Sequence, residues 1–274
     1  NELLTHSLPE ITVSKSFIFM DQKVTPEICY VMGLFYADGS CGKYDCKSGK
    51  KSSWAINNSN IQLLENCKNI LIKFYENINF KILDTESGVY KLVVNGTDIV
   101  YFVDQWRQYF YCKKWKQVPN EMLQESRECR QSFLDGYYAG DGDKDKNGYF
   151  RFDNKGQIGS AGLYFIANSL GYNVSINTRN DKFDIYRMTC TKNNQRKKPG
   201  LIKRITEIKY DTKKYVYDLE TENHHFSAGP GQLIVHNTDS AYVHFPKLKT
   251  AAEIWDYCFA VEKEMYDNNV FPKP

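Results

Sequence analysis

The chain has no cysteine pair at the spacing that a metal site or a redox motif needs. Its eight cysteines, at 29, 41, 46, 67, 112, 129, 190 and 258, include no Cys-x-x-Cys. They read as reduced thiols that serve packing. No apolar run approaches the ~18 residues of a membrane span, and no secretory signal is visible. The expectation is a reducing compartment, cytoplasmic or nuclear, with no membrane partner. Charge of one sign is also scarce. A net charge of +3 on 274 residues is too weak to argue for nucleic acid, though it allows a locally basic face. The first residue is Asn rather than Met, so a fragment or a processed product is expected. What is abundant is aromatic: 15% of residues, with Tyr 20 and Phe 16, which favours β-rich or surface-binding structure. The remaining composition is ordinary for a globular chain long enough for two domains.

One pattern recurs. Thr25-Pro26-Glu27 supplies an N-cap, a proline at the first helical position and an acid in the first turn. A helix follows over Ile28–Ala37, apolar nearly all round, and stops at Asp38-Gly39. About a hundred residues on, Phe133-Leu134-Asp135-Gly136-Tyr137-Tyr138-Ala139-Gly140 again ends in Asp-Gly, at Asp141-Gly142. Gly33 and Gly136 stand at matching places. Glycine costs ~1 kcal/mol against alanine inside a helix, so both make sense where another backbone must approach closely. Each copy is followed by strand, helix and strands. In the first these are Ser53–Asn57, Asn60–Tyr75, Phe80–Leu83 and Tyr90–Val94; in the second, Tyr149–Phe152, Gln157–Leu170, Val174–Asn177 and Phe183–Met188. A further helix, Asp98 to about Tyr111, closes the first copy. Two such helices side by side would present Asp38 and Asp141 at one level. Paired carboxylates suit a hard divalent cation, and such a site can activate water against a phosphodiester. The strands would form a continuous curved sheet whose polar side chains follow a DNA major groove.

Val31–Gly39 and Leu134–Gly142 resemble the two signature helices of LAGLIDADG homing endonucleases. The resemblance implies an α+β fold with saddle-shaped β-sheets on two central helices, acting as a monomer on double-stranded DNA. It makes Asp38 and Asp141 the ligands of Mg²⁺ or Mn²⁺. Tyr36 and Ala139 stand where the family pattern often has Asp, and Asp135 where it has Ala; neither departure touches the metal position. A family lysine a few residues before a proline matches Lys116 in Lys116-Gln117-Val118-Pro119, and implies that Lys116 polarises the attacking water or the phosphate. Its counterpart in the second half is read as Lys182. Expected DNA contacts are Lys113, Lys114, Arg151, Lys182 and Arg187. A decayed or maturase-like module that binds nucleic acid without cutting it is the alternative.

The tail reads differently. After a polar, basic linker over Asn193–Gly200 come strand-like Ile202–Ile208 and Tyr215–Leu219, then Asn223-His224-His225-Phe226, a Pro230-Gly231 turn and Leu233-Ile234-Val235-His236-Asn237-Thr238. An Asn side-chain amide can attack its own carbonyl, close a succinimide and cut the chain after Asn237. The attack is intramolecular, so positioning supplies much of the rate. His236 can protonate the departing amide nitrogen, and Thr238 carries a nucleophilic hydroxyl. This segment resembles the C-terminal splicing motifs of inteins, the β part of a Hint domain. In that family the acid matching Asp218 tunes the junction. A His matching either His224 or His225 assists Asn cyclisation, with no cofactor. Thr238-Asp239-Ser240 resembles the second half of the Tyr-Gly-Asp-Thr-Asp-Ser motif of family B DNA polymerases. Asp239 would then become a polymerase metal ligand once splicing restores the motif. Ala251 to about Asp267 reads as an amphipathic helix.

The N-terminal Cys or Ser of an intein, and its Thr-x-x-His, are missing from residues 1–25. The missing N-terminal intein half is therefore an expected partner, and the intein-free polymerase gene the expected DNA target. The domains read as 1–24, the start of the insertion; 25–199, the endonuclease, with repeats at about 25–112 and 125–192; 200–237, the C-terminal splicing segment; and 238–274, a polymerase fragment.

Overall fold

The computed structural model describes residues 16–47, 49–96, 99–144, 149–179, 181–192, 219–222, 224–227, 234–236 and 250–268. The chain divides into two units, residues 1–212 with 227–235, and residues 213–226 with 236–274.

The larger unit begins with a short hairpin, β1 (Ile18–Phe19) and β2 (Gln22–Lys23), whose Phe17 and Phe19 are buried. Helix α1 (Pro26–Asp38) follows, with the Thr25 hydroxyl accepting from the Ile28 amide as the sequence predicts. Then come β3 (Gly39–Cys46), β4 (Gly49–Asn58), α2 (Ile61–Phe74), β5 (Asn79–Asp84), β6 (Tyr90–Asn95) and α3 (Ile99–Phe110). Asn60 caps α2 by accepting from the Leu63 amide. A small hairpin, β7 (Tyr111–Cys112) and β8 (Trp115–Lys116), and a single turn, α4 (Asn120–Leu123), lead to the second repeat. That repeat is α5 (Arg127–Asp141), β9 (Gly142–Lys144), β10 (Phe150–Lys155), α6 (Gln157–Ser169), β11 (Asn173–Thr178) and β12 (Ile185–Thr191). Ser126 caps α5 through the Cys129 amide.

The strands form two four-stranded antiparallel sheets in the same order, β3-β4-β6-β5 and β9-β10-β12-β11. The continuous sheet expected from sequence is thus corrected. Each repeat satisfies its own ladder, and the two halves meet through helices. Strand β3 is a second correction. Gly-Ser-Cys-Gly-Lys-Tyr-Asp-Cys has no period-two pattern to announce a strand, yet eight cross-strand pairs with β4, from Gly39↔Ile56 to Cys46↔Gly49, hold it extended. Sheet pairing overrides weak local propensity here.

The helices α1 and α5 lie side by side and parallel at the centre. Ile28, Cys29 and Val31–Tyr36 are buried on α1; Phe133, Leu134, Gly136 and Tyr137 are buried on α5, while Asp135 is exposed. The first repeat is sealed by an aromatic cluster. Phe35 stacks on Trp54 at 5.4 Å, and Trp106 and Phe102 on α3 close against Trp54 at 5.2 and 5.5 Å. The second repeat has a smaller core, with Tyr137 edge-on to Phe152 at 5.2 Å. Five of the eight cysteines (29, 41, 67, 129 and 190) are buried, and all eight are free thiols, in line with packing roles.

Beyond the second repeat, β13 (His225–Ser227) and β14 (Ile234–His236) form a two-stranded sheet, and α7 (Ala251–Asp267) is helical as predicted. The strand expected over Ile202–Ile208, and residues 215–218 of the one expected over Tyr215–Leu219, lie outside the described residues, and Leu219 is not in a strand. No helix among those described is long and apolar enough to cross a membrane.

Candidate functional site

The site follows from how two glycines let two helices touch. A Cβ on Gly33 would lie 1.9 Å from the Phe133 carbonyl oxygen and 2.8 Å from the Tyr137 nitrogen. A Cβ on Gly136 would lie 1.9 Å from the Tyr30 carbonyl oxygen and 3.1 Å from the Leu34 nitrogen. The same sequence offset relates Gly33 to Gly136, Tyr30 to Phe133, and Leu34 to Tyr137. The contact is therefore reciprocal about a pseudo-twofold axis. Carried to the ends of the helices, that offset pairs Asp38 with Asp141. The ends of the two helices do approach: a Cβ on Gly140, next to Asp141, would fall 2.6 Å from that of Ala37 and 2.9 Å from Asp38 Oδ2.

Both carboxyls resist charging. Burial raises Asp38 above its usual range, against hydrogen bonding from Asn58 and the attraction of Lys116. Asp141 is pushed up to about 6, by burial at the helix ends and then by the Asp38 charge, with Lys116 opposing. Asp141 nonetheless lies exposed at the surface. Lys116 projects from β8 to the end of α1. Its Nζ donates to the carbonyls of Phe35, Tyr36 and Ala37 at 3.1, 2.9 and 3.4 Å. Burial lowers its pKa to about 8, while Asp141 and Asp38 pull it upward. Lys116 thus neutralises the carbonyl end of α1, where the helix dipole would otherwise add to the acids' repulsion.

Two groups escaped the sequence reading. Asn58 Nδ2 donates to Asp38 Oδ2 at 2.6 Å, and Asn57 Nδ2 to the Asp38 carbonyl at 3.4 Å. Nothing in Asn57-Asn58 flagged them; only the end of β4 brings them to α1. Among the described residues no group of three or more His, Cys, Asp or Glu side chains could hold a metal. The donor set is two carboxylates. That suits Mg²⁺ or Mn²⁺, hard cations held through one or two carboxylates while waters and substrate phosphates complete the shell. The raised pKa of both acids is what an added cation would relieve.

The other expected residues fall elsewhere. Lys113 and Lys114 occupy the β7–β8 turn, with Lys114 Nζ 5.2 Å from the Trp115 ring centroid. Lys182 sits in the turn between β11 and β12, and no cause of the Asp38 or Asp141 shifts involves it. Arg151 and Arg187 lie on β10 and β12, paired with Asp143 and Asp153. In the smaller unit the His224 and His225 rings approach His236, with centroids 6.0 and 4.7 Å away. Asp218, Asn237, Thr238 and Asp239 lie outside the described residues.

The chain is similar to several known proteins. A family model for homing endonucleases matches residues 117–199. A DNA polymerase of Acanthamoeba polyphaga mimivirus is 47% identical over 233 residues, covering 81% of this chain and 13% of that protein. A DNA polymerase of Thermococcus litoralis is 26% identical over 286 aligned positions, covering 83% of this chain and 16% of its own length. The chain therefore spans only a small part of these polymerases. A solved structure of the homing endonuclease I-DmoI in complex with DNA and Mn is similar at a TM-score of 0.47 and 17% identity, covering 61% of this chain and 89% of the other. The N-terminal LAGLIDADG domain of DUF199/WhiA is similar at a TM-score of 0.36 and 12% identity, covering 60% and 74%. Signature helices, reciprocal glycines, paired acids and the family match fall in one unit. The chain is thus similar to a stretch of DNA polymerases and carries, over residues 117–199, a segment that matches the homing endonuclease family.

Proposed function

We propose that the two-repeat unit, as a monomer, binds double-stranded DNA along its two sheets and hydrolyses one phosphodiester of each strand beside Asp38 and Asp141. The observation that carries this reading is the placement of both acids and Lys116 together at the pseudo-twofold axis. Mg²⁺ or Mn²⁺ bound there would supply Lewis-acid stabilisation of the charge that builds on the phosphate. Asp38 and Asp141 would hold that cation. Asn58 fixes the orientation of the Asp38 carboxylate. Lys116, an ammonium donating to three carbonyls beside both acids, polarises the attacking water or the phosphate, and the water's proton passes to solvent. As the water oxygen bonds to phosphorus, the bond from phosphorus to the leaving oxygen breaks. The target is the intein-free polymerase gene. Cleavage of a plasmid carrying that uninterrupted sequence, in Mg²⁺, tests the reading. Linear product from the wild type and none from Asp38→Asn or Asp141→Asn is expected. Binding without nicking by the wild type would replace it with the non-cleaving alternative.

The same proposal extends to the tail. Residues 200–237 act as the C-terminal part of a splicing domain. Asn237 cyclises and releases the chain at Thr238, and residues 238–274 are polymerase, with Asp239 a metal ligand in the restored motif. The grouping of His224, His225 and His236 supports proton transfer at that junction. Supplying the missing N-terminal half should join the flanking segments. Asn237→Ala should stop release at the C-terminal junction, and unchanged release would defeat the assignment.

A further inference from the structure

The two sheets carry different charge designs on their open faces. Strand alternation sorts the residues. In the first sheet Trp54, Ile56, Phe80, Leu92 and Val94 point to the helices, so Lys51, Lys81, Lys91, Ser53 and Asn57 face outward. No acid shares that face, and among the described residues these three lysines form no ion pair. In the second sheet Phe152, Met188 and Cys190 point inward, so Asp143, Arg151, Asp153, Lys155, Arg187 and Asn177 face outward. Aspartates here stand among the basic residues of a surface that is to meet phosphates.

Each of these aspartates clasps an arginine. Asp153 lies directly across from Arg187 in the β10–β12 ladder. Arg187 Nε donates to Asp153 Oδ1 at 2.7 Å and Nη2 to Oδ2 at 2.9 Å. Arg179 Nη1 donates to Asp153 Oδ2 at 2.8 Å, while its Nε and Nη2 bind Asp181. Arg179 is consumed by this lattice, which makes it a buttress. Arg187 is clamped along one edge only. Among the described residues, its Nη1 and the second hydrogen on Nη2 form an edge that makes no hydrogen bond, on a side chain 39% exposed. A planar guanidinium held by one edge and open at the other matches the paired acceptors O6 and N7 of guanine.

We infer that Arg187 is a specificity-determining residue that reads a guanine in the major groove, with Asp153 as its positioning residue, while the first sheet binds phosphates through Lys51, Lys81 and Lys91. The inference rests on the DNA-cleaving reading above. It divides the work: one half of the target is held by salt-sensitive charge, the other recognised by a preorganised donor pair. Holding the guanidinium in place also spares the ordering cost that a free arginine meets on binding.

The test measures binding of the full chain, in Ca²⁺ to block cleavage, to duplexes of the uninterrupted polymerase sequence. One panel changes each base pair in turn, and one scrambled duplex serves as reference. Arg187→Lys keeps the charge and loses the planar fork; Asp153→Asn keeps the shape and loses the clamp. Both are expected to lose discrimination at one or two G·C pairs in a single half-site, by about 5- to 150-fold, with the rest of the panel unchanged. The triple change Lys51→Gln, Lys81→Gln, Lys91→Gln should weaken every duplex alike and lower the salt slope by about 0.9 for each phosphate no longer neutralised. If Asp153→Asn instead tightens all duplexes equally, the aspartate is only a repelling charge and the inference fails. Unchanged discrimination by Arg187→Lys, with its thermal midpoint intact, also overturns it. A wild type that does not distinguish the target from the scrambled duplex refutes the DNA-cleaving reading itself.

Discussion

Replacing Gly136 by alanine sets two effects of opposite sign against each other. Helix propensity alone predicts stabilisation of ~1 kcal/mol, because alanine loses less backbone freedom in a helix interior. The structure predicts the reverse. The new Cβ would stand 1.9 Å from the Tyr30 carbonyl oxygen and 2.8 Å from the Tyr30 carbonyl carbon. These are backbone atoms inside α1 and cannot rotate away. Relief requires the helices to part by roughly 1.5 Å to reach ordinary van der Waals separation. Phe133, Leu134, Tyr137, Met32 and Leu34, all at 0% exposure, pack along that seam and would loosen together. Overpacking with such loosening costs about 3–5 kcal/mol, at the upper end of core substitutions. For a unit of this size the thermal midpoint should fall by about 8–15 °C. Urea titration of the full chain followed by near-ultraviolet circular dichroism measures the free-energy change. Gly96→Ala is the control, since nothing lies within 4 Å of a Cβ there. Gly33→Ala should behave like Gly136→Ala, and the double variant should cost less than the sum, because helices already parted need not part again. A Gly136→Ala chain as stable as the wild type would show that the helices do not meet through their backbones.

Other substitutions probe the acids. Asp141 has a folded pKa of about 6 against an ordinary value of 3.8, so the folded state holds its proton more tightly. This carboxyl therefore favours the fold at low pH, and that contribution is lost as pH rises from about 4 through about 6. Asp38 shifts in the same direction. Thermal melts of wild type and Asp141→Asn across that window should diverge with rising pH, with Asn the more stable above pH 6; parallel curves would deny the shift. Lys116→Met removes three carbonyl bonds and the charge facing both acids. It should abolish cleavage and raise the Asp141 pKa further, readable by carboxyl NMR. Asn58→Ala should raise the Asp38 pKa and slow cleavage while target binding is kept; unaltered rates would make Asn58 a bystander. Phe183 is 95% exposed, so Phe183→Ala should leave the urea-derived stability within about 0.5 kcal/mol of wild type.

Much of the organisation was legible because it rests on residues costly out of context. Gly33 and Gly136 sit in apolar helices where glycine is a penalty, and Asp38 and Asp141 end those helices at the same register. A helix start is a local event as well: Thr25, Asn60 and Ser126 each cap through their own side chains, and the cap at Thr25 stands where the sequence placed it. Strand β3 was not legible, since its eight residues lack alternation and depend on β4 for their pairing. Asn58 was not legible either, because its meaning lies in the bond to Asp38 twenty residues away.

From the sequence alone came the repeat and the two acids, since each is a property of residue type and spacing along one chain; Lys116 came from the family resemblance. Only the tertiary structure decided that the sheets are separate, that Lys116 closes the end of α1, and that Arg187 is clamped while Lys51, Lys81 and Lys91 are not. Those outcomes depend on which side chains face each other across strands and helices. That register is set by the packing of the whole unit, and no local pattern encodes it.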